Sequence, residues 1–190
     1  MKLKAQAEEW MRRLRERRPL LPLRPDGPAD PAADEAIGGL LALAGGDPDA
    51  RAVVSGLLLW NGNLDRSHTI SQGIDNATGS YWHGIMHRME GDYWNAKYWF
   101  RRVGRHPAMA RLREAAREPL ASFGVSGAGA PEADRLIGRL AAAGEWDPFL
   151  FVDAVEAQVG GRGSGEARAL LEELQHLEMS VLLQYGLERM

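Results

Sequence analysis

The sequence predicts an all-α fold, a compact multi-helix bundle of antiparallel helical hairpins with no substantial sheet. Apolar residues recur at three- and four-residue spacing through nearly every segment, and no segment sustains the alternating β-branched pattern of a strand. Helix starts are marked at Asp47-Pro48 and Asp147-Pro148, where the acid caps the first turn and proline sits where its missing N–H costs nothing. With 190 residues, 45% of them hydrophobic and 26% charged, the chain has the size and composition of one well-buried globular domain.

Residues 4–18 read as a helix in which Ala5, Trp10, Met11 and Leu14 recur near helical spacing among five arginines, Arg12, Arg13, Arg15, Arg17 and Arg18. Pro19, Pro22, Pro25, Pro28 and Pro31 then forbid regular helix, so this segment is an extended strap. The expected organisation is an N-terminal basic helix and strap over 1–31 and a single α-helical domain over 32–190. A short helix over 32–45 precedes the one that starts at Asp47. The latter carries Val53, Val54, Leu57, Leu58, Leu59 and Trp60, apolar almost all round, and should be central and buried. Asn61-Gly62-Asn63 ends it. A helix from about Asp65 to Gly73 places Asp65, His68 and Gln72 on one face.

After a turn over 75–78, Thr78 or Ser80 is positioned to cap a helix that ends at Gly91. Asp92 caps the next, which runs to about Gly104, and Pro107 opens another. Residues 121–130 are a small-residue loop, and 131–143 form a further helix. The helix that starts at Asp147-Pro148 and a last one capped by Ser164 complete eight to ten short helices. In that last helix Leu170, Leu171, Leu174, Val181, Leu182 and Tyr185 share an apolar face. The glycine-rich run at 160–165 lacks the lysine of a phosphate-binding loop and follows a helix rather than a strand, so it reads as a plain loop.

Composition bounds the function. A net charge of -3 gives no bulk attraction for nucleic acid, and the chain has no cysteine, which removes disulfides, thiolate metal sites and a cysteine nucleophile. The charged N-terminus lacks the apolar run of a secretory signal, and no stretch reaches the ~18–20 apolar residues of a membrane span. The expectation is a soluble cytoplasmic protein that acts on a small molecule, with neither nucleic acid nor membrane as partner.

The chemistry concentrates in the middle of the chain. Four of the five histidines lie between His68 and His106, and Trp60, Trp82, Trp94 and Trp99 are four of the six tryptophans. At roughly 100° per residue, His83, His87 and Glu90 fall within about 60° of one another on one helix face. Tyr81, Trp82, Ile85 and Met89 lie opposite. Two imidazoles four residues apart can share one ion and a carboxylate three further on can complete a triad. His68, His83, His87 and Glu90 are therefore the candidate ligands of a divalent metal such as Zn, Fe or Mn. Glu90, Asp65 and Glu178 are the candidate catalytic carboxylates. Glu178 sits inside the apolar face of the last helix, so it must be paired, protonated or bound to a cation. Trp82, Tyr81, Arg88, Arg102 and Gln72 are candidate ligand-binding residues, the rings for stacking and the guanidiniums for an anionic group. His106 reads as a helix-entry residue and His176 as exposed.

Gly84, Gly91, Ala96, Phe100 and Pro107 stand near the small, turn, small, aromatic and proline positions of a tetratricopeptide-type helix pair, which residues 78–107 resemble. The resemblance implies a helical hairpin and, as a function, a protein-interaction scaffold. His83 and His87 depart from it, because those positions usually carry large core residues, and no ladder of further copies accompanies the pair. The leading expectation is a metal-dependent enzyme or metal-binding protein acting on a small polar substrate. A pocket formed by the 65–72, 80–90 and C-terminal helices would hold the metal. The alternatives are metal-free binding of a sugar or aromatic, and the scaffold.

Overall fold

A computed structural model describes residues 2–124 and 129–190. These form helices only: α1 (Lys2–Glu16), α2 (Pro31–Gly39), α3 (Leu41–Ala44), α4 (Pro48–Trp60), α5 (Leu64–Ser71), α6 (Ala77–Glu90), α7 (Tyr93–Val103), α8 (Pro107–Ala115), α9 (Arg117–Ser122), α10 (Glu132–Ala142), α11 (Pro148–Val159) and α12 (Gly165–Arg189). The all-α expectation holds. Among the described residues there are twelve helices rather than eight to ten, because two expected segments divide. Residues 32–45 split at Leu40, just past the Gly38-Gly39 pair, and the helix opened by Pro107 stops at Ala115. Pro119 has no N–H to offer the Ala115 carbonyl, so the α8 ladder cannot continue. Part of the loop expected over 121–130 lies outside the described residues.

Two helices carry the core. In α4 every residue from Ala52 to Trp60 is buried, which fits its all-round apolar sequence. The 25-residue α12 runs past two apolar clusters. Its first half, through Leu170, Leu171 and Leu174, packs among Ile137, Leu140, Phe151 and Val155 of α10 and α11. Its second half, through Met179, Leu182, Leu183 and Leu187, packs among residues of α1, α4 and α6. Close approach needs small residues where helices cross. A Cβ on Gly56 of α4 would lie 2.4 Å from the Trp82 ring of α6. No described helix is long and apolar enough to cross a membrane.

The N-terminal region packs on the body. Leu3, Ala7, Met11 and Leu14 of α1 and Leu21 and Leu23 of the proline-rich strap are buried. The strap is tied down at both ends. Arg17 donates to the Trp60 carbonyl (2.6 Å), and the Ala29 N–H donates to the Asn61 carbonyl (2.7 Å).

Three local devices position the centre of the chain. Ser55 of α4 bonds the Ser67 carbonyl and hydroxyl at 3.0 Å, so Ser67 faces α4. Arg66 and Asn63 hold the buried Asp34 of α2 at 2.7 and 2.9 Å. Together they fix the rotation of α5 and hence of His68. Asn76, rather than the expected Thr78 or Ser80, caps α6 through the Gly79 N–H (2.8 Å), and those two residues lie inside the helix. At the other end Gly91 adopts φ +94°, which a side chain would disfavour, and the His87 carbonyl receives the N–H of both Gly91 and Asp92. Asp92 then caps α7 through the Asn95 N–H at 3.0 Å. This two-residue link folds α7 back antiparallel on α6, with Gly84 against the Phe100 ring.

Candidate metal centre

The hairpin brings positions equidistant from Gly91 together. Four residues either side stand His87 and Asn95, and the Asn95 amide nitrogen is 3.2 Å from His87 Nε2. Eight residues either side stand His83 and Trp99, whose rings stack at 3.9 Å and 19°. From the other flank α5 delivers His68. Its ring centroid is 4.7 Å from that of His83 and 5.5 Å from that of His87, and His83 and His87 are 4.7 Å apart.

One nitrogen from each of His68, His83 and His87 lies within 4.8 Å of the other two. Imidazoles on one tetrahedral ion at 2.0–2.1 Å stand roughly 3.4 Å apart, so each pair has at most about 1.4 Å to close, within the reach of small side-chain rotations. His83 and His87 are buried and His68 is half-buried.

The protonation pattern suits a cation. Burial, then the neighbouring His87 and His68, pull the His83 pKa down to about 3 from its ordinary 6.5. At neutral pH its lone pair is free. His83 Nδ1 is buried without any hydrogen-bond partner among the described residues. For His87 the chemistry of its neighbours fixes the tautomer. A carboxylate only accepts and an amide nitrogen only donates, so Nδ1–H donates to Glu90 Oε1 at 2.5 Å and Nε2 is the accepting nitrogen. Glu90 itself is part-exposed. A carboxylate on the far nitrogen is the usual orienting partner of a metal-bound imidazole. His87, Glu90 and Asp92 also form a second, more exposed group of close donor atoms.

The remaining expected residues are distributed elsewhere. Glu178 was expected beside the histidines from the C-terminal helix. It is instead bonded to Arg88 (2.5 Å) and Tyr81 (3.2 Å), which project from the opposite face of α6. The helix period dictates this, since residues 81 and 88 are almost in line and about 140° or more from 83. The histidine cluster and the side chains against it therefore come from α5, α6 and α7, without α12. Arg88 is fully buried, reaches Gln175 at 3.4 Å and lies 4.3 Å over the Phe151 ring, so it is the structural counter-ion of Glu178. Burial and then the Glu178 charge push the Tyr81 phenol well above its usual range. Trp82 is buried against α4 and presents no ring face to solvent. Asp65 on α5 and Gln72 just past its end are exposed, Asp65 in a groove with Gly38, Arg66 and Thr69. Arg102 lies 5.2 Å over the Trp99 ring and 3.6 Å from Asp75.

The two outlying histidines also resolve. His106 caps α8 through the Ala108 N–H, as its place before Pro107 implies, and pairs with Thr78 at 3.2 Å. His176 is buried, against expectation, because Trp60 Nε1 donates to its Nδ1 at 3.2 Å. Asn95 and Trp99 were missed as site residues. The symmetric spacing about Gly91 was the signal that could have found them. Comparison with family models, with curated proteins and with solved structures gives no match for this chain.

Proposed function

We propose that the protein is a metal-dependent enzyme or metal-binding protein in which His68, His83 and His87 hold one divalent cation and Glu90 orients His87. The observation that carries this reading is His83. It is 2% exposed, neutral at physiological pH, flanked by two further imidazoles, and has an orphaned Nδ1. A buried polar atom left unpaired costs about 1–3 kcal/mol, and three imidazoles offer each other little in return. A cation converts that cost into binding energy. Neutral nitrogen donors favour Zn or Fe over Mn, which prefers carboxylate and water.

Three protein ligands leave a fourth position open, the arrangement of catalytic rather than structural zinc. An ion held there lowers the pKa of bound water towards ~7 or polarises a substrate oxygen. The chain's own contribution is to hold the ligands neutral by burial, to fix the His87 tautomer through Glu90, and to wall the site with Trp99. Elemental analysis of tag-free protein, with and without added Zn, Fe or Mn, tests the reading. One equivalent of tightly held metal, lost in His83→Ala and His87→Ala variants that melt cooperatively, is the expected result. Substoichiometric metal that does not rise on addition overturns it.

A further inference from the structure

We propose that Asn95 selects what enters the open fourth position of the candidate metal centre: its amide N–H donates to an sp² oxygen, of a carboxylate or carbonyl, seated on the ion. The inference rests on the reading of His68, His83 and His87 as the ligands, and it names the class of group that the ion would take from a substrate. Among the described residues, two side chains hydrogen-bond to the three imidazole rings. Glu90 holds His87 Nδ1. Asn95 holds the other nitrogen, with its Nδ2 at 3.2 Å from His87 Nε2.

An imidazole nitrogen has one lone pair, so the Asn95 N–H and a cation exclude one another at Nε2. An ion on that lone pair at 2.0–2.1 Å would stand roughly 1.1 Å from the amide nitrogen, so the amide must turn aside as the ion arrives. It has little freedom to leave. Residue 95 is fixed in the first turn of α7 by its backbone N–H, which donates to Asp92 Oδ1 at 3.0 Å. Two side-chain torsions are all that can turn, and they keep the displaced N–H beside the ion. Burial sets the side from which a ligand arrives. His83 and His87 are buried, whereas His68, Asn95 and Trp99 are half-buried, so the cluster meets solvent where Asn95 stands. An amide donor there favours a ligand that keeps a lone pair after coordinating. An sp² oxygen has two, one for the ion and one to accept from Asn95. A ring nitrogen or an amine spends its single lone pair on the ion.

The test loads the full-length protein with cobalt(II), whose visible bands report its ligands, and titrates it at neutral pH with acetate and, separately, with pyridine. The parent should bind acetate, and Asn95→Ala and Asn95→Leu should each bind it about tenfold or more weakly, the loss of one charge-assisted hydrogen bond. Pyridine binding and cobalt affinity should hardly change. Both substitutions are neutral, so the pull of Lys97, Arg101 and Arg102 on acetate and the push of Glu90 and Asp92 stay as they are. A parent that takes up no cobalt sinks the metal reading and this one with it. Cobalt held without any band shift on adding acetate, acetate affinity unchanged in both variants, or acetate and pyridine weakened alike overturns the role of Asn95 and leaves the metal reading standing. Loss of cobalt from variants that still melt cooperatively also overturns it, since Asn95 would then be a ligand through Oδ1.

Discussion

Replacing Glu90 by glutamine should separate the proposed metal binding from folding. Glu90 accepts the His87 Nδ1 proton at 2.5 Å, a charge-assisted bond that leaves Nε2, which now accepts from Asn95, as the nitrogen a cation would take in place of that amide. Glutamine keeps the size and removes the charge. Loss of such an orienting partner typically lowers metal affinity 10–100-fold, which is about 1.4–2.7 kcal/mol. The effect on the metal-free fold is smaller. The pair is local on one helix and Glu90 is 40% exposed, so it contributes roughly 0.2–1 kcal/mol, or a few degrees at most in Tm. Zinc competition against a chromophoric chelator at neutral pH, with melts of the metal-free protein, measures both. Glu90→Gln should bind zinc at least about tenfold more weakly with nearly the parental Tm. Equal affinities in the two proteins, or a loss of affinity matched by unfolding, would refute the role given to Glu90.

Acid should weaken the metal-free fold before carboxylates begin to titrate. His83, His106 and His176 are depressed to about 3, 4 and 4, each mainly by burial. Below pH ~6.5 the unfolded chain takes up protons that the fold refuses, so stability falls with pH by ~1.4 kcal/mol per unit for each histidine until its folded pKa is reached. Urea melts between pH 7 and 5 should show the decline, and His106→Asn should flatten it by about a third; a flat profile in the parent contradicts the burial of these rings. Glu178→Gln leaves Arg88 charged and fully buried and should cost about 3–5 kcal/mol by urea denaturation, whereas Arg88→Met with Glu178→Leu should cost much less. Gly56→Ala gains roughly 1 kcal/mol of helix propensity but places a methyl 2.4 Å from the Trp82 ring, so a net loss of about 1–2 kcal/mol is expected, and a raised Tm would count against the packing.

Much of this arrangement is legible in the sequence. The central helix follows from the all-round apolar run that ends at Trp60, the hairpin link from Gly91-Asp92, and the shared face of His83 and His87 from their four-residue spacing. The need for a counter-charge on Glu178 follows from its apolar neighbours, and Arg88 supplies it. What the sequence hid is rotation between helices. Nothing local tells which face of α6 meets α12, so Glu178 was expected beside the histidines although it reaches the face of Tyr81 and Arg88. Trp82 illustrates the same gap, since a ring on a helix serves core or ligand according to a neighbour, here Gly56 of α4, that lies 26 positions earlier. His176 was misjudged because its partner, Trp60, is 116 residues away. Asp65 shares a face with His68 by spacing, but Ser67 anchors α5 to α4 and leaves Asp65 in solvent.

The central claim is that three imidazoles converge on one ion. X-ray absorption at the zinc edge of the stoichiometrically loaded protein tests it most directly. The account predicts a four-coordinate first shell at about 2.0–2.1 Å with the outer-shell scattering of three imidazoles, falling to two in His68→Ala. A shell of oxygen alone, or an imidazole count unchanged by His68→Ala, would contradict it.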